Sequence, residues 1–187
     1  NHFTGMETDD VRGLELSEKQ SPDTAAMPRY WVPEADTPTG KTDRKGLPVM
    51  AAGVSTALDS LGWDRGWLYG WRDVARATDE RTSIPGFVPR TAVGHKFPLM
   101  FVFREAASVV VLCAAQSSFV YDYISRQKIS GTSMGLFIWK QLPVPRPETL
   151  EPHSRFVAPR VLELVYTAYD MAPLARDLGD EGEPFRW

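Results

Sequence analysis

The chain has a single cysteine and three histidines in 187 residues, and they are scattered. Cys113, alone in "VVVLCAAQ", excludes a disulfide framework and makes a reducing cytoplasm the expected setting. His2, His95 and His153 have no metal-ligand spacing with one another or with Cys113, so no zinc site is expected. Glycine-rich cofactor loops are missing too. No G-x-G-x-x-G occurs, and "GKTDRKG" lacks the glycine that a phosphate loop needs five residues before Gly40, where Ala35 stands. A nucleophile elbow, G-x-S-x-G, is also absent. The paired Asp9 and Asp10 lie in a polar, acidic opening stretch and read as solvated. A free-standing enzyme therefore has no motif behind it. The longest apolar run, residues 106–115, falls short of a membrane span. The opening "NHFTGMETDD" lacks the basic-then-apolar order of a signal peptide. It also lacks an initiator Met, and reads as the edge of a segment cut from a longer protein.

What the sequence does have is core-forming material and an uneven charge distribution. Apolar residues make up 43% of the chain and six are tryptophans, enough for one domain with a sizeable core. The net charge of -3 conceals a basic centre. Residues 65–147 carry eleven Lys and Arg against five Asp and Glu, whereas 1–64 and 148–187 are acidic. A basic centre between acidic ends points to a polyanionic partner.

Read along its length, the chain falls into an irregular acidic lead-in (1–27), a main domain (28–147) and a C-terminal helical extension with an acidic tail (148–187). "PRYWVPEAD" (28–36) reads as a short edge strand between prolines, and "TPTGKTDRKGLP" (37–48) as loop. The following "VMAAGVSTALDSLG" predicts a short helix ended by Gly62. Rough alternation through Trp67, Tyr69, Trp71, Val74 and Ala75 predicts a strand, with further strands over 82–88 and 95–103. From 105 to 127 the period becomes helical, with Val109, Leu112, Cys113, Gln116, Val120 and Tyr123 on one stripe. Ser118, Asp122, Ser125 and Arg126 fall elsewhere. "GLFIWKQL" predicts a short buried element, and "PVPRPE" forbids helix continuation. A second helical region follows, with Pro159 near one helix start and Pro173 near a break. Strands this close together leave no room for crossover helices, so the expected fold is α+β, a mostly antiparallel sheet with flanking helices.

Between the helical stretch and the buried element sits "SRQKISGTS", basic and free of acidic residues. It offers Arg126, Lys128, Thr132 and Ser133 around Gly131, and "WRDVARATDERT" sets Arg72, Arg76 and Arg81 along an aromatic-rich segment. Arg90, His95 and Lys96 complete the basic candidates. Donors of this kind serve phosphate contacts, and arginine also reads base edges. The competing reading pairs several arginines with Asp73, Asp79, Glu80 or Asp122 inside the fold. His95, between Gly94 and Lys96, is either a contact or a turn histidine bonded to backbone.

The stretches "PRYWVPE", "GWLYGWRDVARATDERTSIPGFVPR", "VGHKFPL", "SSFVYDYISRQKISGTSMGLFIWKQLPV" and "PRVLELVYTAYDMAPLARDLG" with "PFRW" carry a resemblance. In that order they resemble the C-terminal part of large adenine-N6 DNA methyltransferases, the type IIG restriction-modification and BREX- or DISARM-like phage-defence enzymes. The sequence departs from them at Ser133 and Gly135, where relatives tend to have His and Asn, and at Pro85–Gly86. The resemblance implies a target recognition domain like those of type I specificity subunits, which binds double-stranded DNA and selects the methylated site. S-adenosylmethionine and the Asn-Pro-Pro-aromatic motif would belong to a linked or associated methyltransferase domain, since this chain contains no such motif. An alternative is a protein-interaction module that docks a methyltransferase or another defence subunit.

Overall fold

The computed structural model describes residues 14–25 and 31–186. Most of the acidic lead-in, the first three residues of 28–36 and Trp187 lie outside the described residues. The fold is α+β, with two small antiparallel sheets and several helices, among them the single turns α1 (Leu16–Lys19) and α6 (Pro147–Leu150).

The centre is the strand β3 (Trp67–Trp71), "WLYGW". The rough alternation predicts a strand here, and all five of its residues are buried. Both edges of β3 are engaged. β4 (Pro85–Pro89) pairs along one edge, with Tyr69 opposite Phe87. The segment around Leu99 covers the other, where Met100 N–H donates to the Tyr69 carbonyl at 2.8 Å and Trp71 N–H to that of Pro98 at 3.2 Å. The two strands expected over 82–88 and 95–103 are thus one short strand and one bridged segment. β4 begins and ends in proline, which suits a strand bonded on one side only. Gly70 permits the close crossing, because a Cβ there would lie 2.3 Å from the Pro98 carbonyl oxygen.

Two apolar clusters grow from this strand. The larger joins Trp63, Trp67, Leu68 and Tyr69 to Val109, Val110 and Cys113 of helix α3 (Ala106–Gln116). Leu162 of α7 (Ser154–Val165) and Leu174 of α8 (Ala172–Asp177) join the same cluster, so residues past 148 share the core with β3. Burial pushes the Cys113 thiol up to about 11, which leaves it un-ionised at neutral pH. The smaller cluster holds Trp71, Ala75, Tyr121, Ile129, Met134, Trp139 and Leu142. In it Trp71 and Trp139 stack with ring centroids 4.5 Å apart. Each buried indole N–H has a partner: Trp63 donates to Trp67 O (2.8 Å), Trp67 to Asp177 Oδ2 (2.7 Å), Trp71 to Met134 O (2.7 Å) and Trp139 to Met100 Sδ (3.2 Å).

Several local expectations are corrected. Residues 37–48 are not loop: β1 (Thr37–Thr42) and β2 (Pro48–Ala51) form an antiparallel hairpin. The helix expected from residue 49 begins later, as α2 (Val54–Ser60), because β2 takes the first residues. No strand forms over 31–36. The single helical stripe over 105–127 is broken. Chain direction turns by 62° between α3 and α4 (Phe119–Lys128), where the Ser118 hydroxyl caps the new helix by accepting from Tyr121 N–H. The turn changes which face points inward. Val120 and Tyr123 are 70% and 65% exposed, while Tyr121, Asp122 and Ser125 are buried. In α5 (Leu136–Trp139) only Trp139 is buried, and Phe137 stands 81% exposed. Pro159 falls inside α7, not at its start. Among the described residues no single helix is long and apolar enough to cross a membrane.

Candidate nucleic-acid interface

Two buried carboxylates organise the basic centre. Asp122, on the inner face of α4, accepts N–H groups from Thr82 (2.7 Å) and Ser83 (2.8 Å) through Oδ1. Its Oδ2 accepts Arg126 Nε at 2.8 Å, one turn along the same helix. Arg126 then reaches the carbonyls of Ala77 (2.7 Å) and Glu80 (2.6 Å), clamping the 77–80 turn to α4. Arg81 closes the cluster. Its Nε lies 3.5 Å from Asp122 Oδ1, an ion pair without hydrogen-bond geometry; its terminal nitrogen donates to the Ser117 carbonyl; its guanidinium lies over Phe119. Burial by itself would raise the Asp122 carboxyl, but the N–H groups of Ser83 and Thr82 and the Arg126 guanidinium outweigh it and hold the group below the ordinary carboxylate value.

Asp73, just past β3, is the second organiser. It accepts the Ser133 hydroxyl at 2.5 Å and Lys96 Nζ at 3.0 Å. The Ser133 bond, ahead of Lys96 and the nearby His95, holds this carboxyl low against the opposing effect of burial. Backbone bonds fix the same junction, from Met134 N–H to the Asp73 carbonyl (2.6 Å) and from Asp73 N–H to the Lys96 carbonyl (2.9 Å).

The sequence candidates therefore divide. Arg81 and Arg126 are held by Asp122 and nearby carbonyls, and Lys96 and Ser133 by Asp73. Arg90 donates to the Ser55 hydroxyl at 2.9 Å and pairs with Glu34 at 3.6 Å, joining the end of β4 to the segment before the β1–β2 hairpin. Arg72, Arg76, His95, Lys128 and Thr132 are exposed. Among the described residues Arg72 reaches only Asp79, at 4.0 Å and with both side chains more than a third exposed, a pair worth little. The guanidinium of Arg76 and the ammonium of Lys128 meet no partner among the described residues.

Four of the exposed groups lie on or next to two segments that are bonded to each other. Beyond β3 burial keeps alternating, with Trp71, Asp73 and Ala75 buried and Arg72, Val74 and Arg76 outside. Val74 bridges Ser133, and Ala75 N–H donates to the Thr132 carbonyl at 3.3 Å. This seats the turn after Lys128, the last residue of α4, beside the segment that carries the outward arginines, so the exposed rim of this junction consists of Arg72, Arg76, Lys128 and Thr132. The sequence sets both arginines along one aromatic-rich segment, but the partner turn is far along the chain, Ser133 lying 60 residues from Asp73, and leaves no local signal. Pairing of arginines with Asp122 is one of the sequence alternatives, and Arg126 lies only one helical turn from it. Without local signal are the bonds of Asp122 to Thr82 and Ser83 and of Asp73 to Lys96 and Ser133.

Among the described residues no cluster of His, Cys, Asp and Glu is arranged to hold a metal ion. No protein-family model matches the chain, and no curated protein or solved structure is significantly similar to it.

Proposed function

We propose that the chain is a DNA-binding target recognition domain, of the kind found in type I specificity subunits, which selects the site methylated by a larger adenine-specific DNA methyltransferase. The observation that carries this reading is the solvent-facing rim of Arg72, Arg76, Lys128 and Thr132, whose cations lack buried partners while the neighbouring cations have them. A preformed row of donors is what the phosphate backbone requires, and the two anchored carboxylates fix its spacing before DNA arrives. His95, exposed near Asp73, extends the rim toward the Lys96 segment. The sequence resemblance supplies the methyltransferase context. In this reading S-adenosylmethionine is held by the linked methyltransferase domain, outside this chain, and the setting is cytoplasmic.

The test is duplex binding by the chain as a function of salt. Affinity is expected to fall steeply as salt rises, because each neutralised phosphate releases counterions. Replacing Arg76 and Lys128 together should lower the slope of log affinity against log salt by about 2 without changing thermal stability. No binding at low salt, or binding indifferent to salt, overturns the reading.

A second reading has its own observation. Phe119, Val120 and Tyr123 form an exposed apolar face on α4, with Phe119 82% exposed. Such a face suits docking of the methyltransferase domain. Co-purification with that domain, lost on Phe119→Ser and Tyr123→Ser but unaffected by Arg76→Ala, would separate docking from DNA contact.

A further inference from the structure

We propose that the β1–β2 hairpin is a second DNA-contacting element, a basic ribbon that enters the groove of duplex DNA through Lys41, Arg44 and Lys45. The proposal rests on the DNA-binding reading above and adds an element that lies outside the basic centre of the sequence.

The hairpin contributes nothing to the core. Every residue of β2 is exposed, and so is every residue of β1 except the half-buried Thr37. A lone two-stranded hairpin is marginal in water, yet this one is braced at both ends. At the tip, Asp43 closes the turn: its Oδ1 accepts N–H groups from Lys45 (2.8 Å) and Leu47 (2.9 Å), and its own N–H donates to the Leu47 carbonyl (2.8 Å). Midway, the Thr39 hydroxyl donates to the Val49 carbonyl at 2.7 Å. At the base, Asp36 Oδ1 accepts Gly53 N–H at 2.8 Å, and Val54 and Ser55 N–H groups donate to the Pro33 and Glu34 carbonyls, each at 3.0 Å. Gly53 is held so close that a Cβ would lie 2.4 Å from the Ala35 carbonyl carbon. The Arg90 bond to Ser55 then ties this base to the end of β4. Arg90, a DNA candidate by sequence, serves instead to fix the arm.

Bracing an element that buries nothing makes sense when what it presents matters. Residues 37–51 contain three cations, Lys41, Arg44 and Lys45, and one carboxylate, Asp43. That carboxylate is occupied by backbone N–H groups of the turn, and no side chain among the described residues pairs with the three cations. The result is a local surplus of positive charge on a projecting support. Six residues at about 3.3 Å each give β1 a length of roughly 20 Å, and a two-stranded ribbon fits a B-form major groove about 12 Å wide. Leu47 and Met50, exposed on the same hairpin, offer apolar contact to sugars and thymine methyls. Charge complementarity commits the occupant to duplex DNA.

The experiment uses the whole chain, a labelled duplex of mixed sequence and the triple variant Lys41→Ala, Arg44→Ala, Lys45→Ala. Circular dichroism should show an unchanged fold, and the salt slope of binding should fall by about 2 to 3. Trypsin supplies an independent readout on the natural chain: cleavage after Lys41, Arg44 or Lys45 should be fast when free and suppressed by duplex. If the natural chain binds duplex with a steep salt slope and the triple variant keeps it, the arm is overturned while the DNA-binding reading stands. If the natural chain binds no duplex, both fall. An equal loss of affinity for single-stranded oligonucleotide overturns the groove placement.

Discussion

The pairs β1–β2 and β3–β4 are both two-stranded and antiparallel, yet they occupy opposite environments. β3 is buried along its whole length and organises both apolar clusters, whereas β2 is exposed along its whole length. Backbone pairing alone thus says little about what a sheet does. In β3–β4 the stabilising term is removal of large side chains from water, three tryptophans and a tyrosine among them when Trp63 is included. In β1–β2 it is turn chemistry and the fastening at the base, which leave the strands' outer surfaces available to a partner.

The sharpest way to break the comparison is Trp71→Ala. The indole is fully buried, stacked on Trp139 and bonded to the Met134 carbonyl. Its loss should cost about 3–5 kcal/mol in urea denaturation, while the triple substitution at the hairpin tip should change stability by less than about 0.5 kcal/mol. Comparable losses from the two would mean the hairpin is as structural as β3.

Asp122→Asn comes next, at about 2–3 kcal/mol, because Arg126 and Arg81 would lose their shared anion while the 77–83 segment loosened. It carries a pH signature. The Asp122 and Asp73 carboxyls are depressed in the folded state, so their contribution is fully present above the ordinary carboxylate value of 3.8 and fades as pH falls below it. Thermal melts of the natural chain should therefore drop in temperature below about pH 4. Asp122→Asn should flatten that drop, and an unaltered profile would argue against the assignment.

Gly53→Ala probes the arm's fastening. The new methyl would meet the Ala35 and Glu34 backbone, so a loss of about 1–2 kcal/mol is expected. Hydrogen exchange should speed up in β1 and β2 but not in β3. The smallest effect belongs to Arg76→Ala and Lys128→Ala, each within about 0.5 kcal/mol on stability. Arg126→Ala, by contrast, should lower the melting temperature measurably, since its guanidinium bonds three separate acceptors. Charge on this surface would then sort into groups that hold the protein together and groups that face outward.

Much of the helical organisation was legible in the sequence, and much of the charged surface was not. The apolar period marked α3 and α7, and "WLYGW" marked the central strand, because local spacing reports which side chains must leave water. The β1–β2 hairpin escaped because "TPTGKT" has no apolar alternation; its pairing depends on Asp43 closing the turn. The helical stripe failed at Ser118, where a cap that also fits a helix interior in sequence began a new axis 62° away.

By itself the sequence determined that the chain folds as α+β around tryptophan-rich segments, with an excess of positive charge in its middle. Only the tertiary structure decided which of those positive charges are spent and which face water. The physical reason is that a cation's role depends on the nearest anion in space. For Arg81 that anion is Asp122, and for Lys96 it is Asp73, each more than twenty residues away. No period along the chain encodes such a distance.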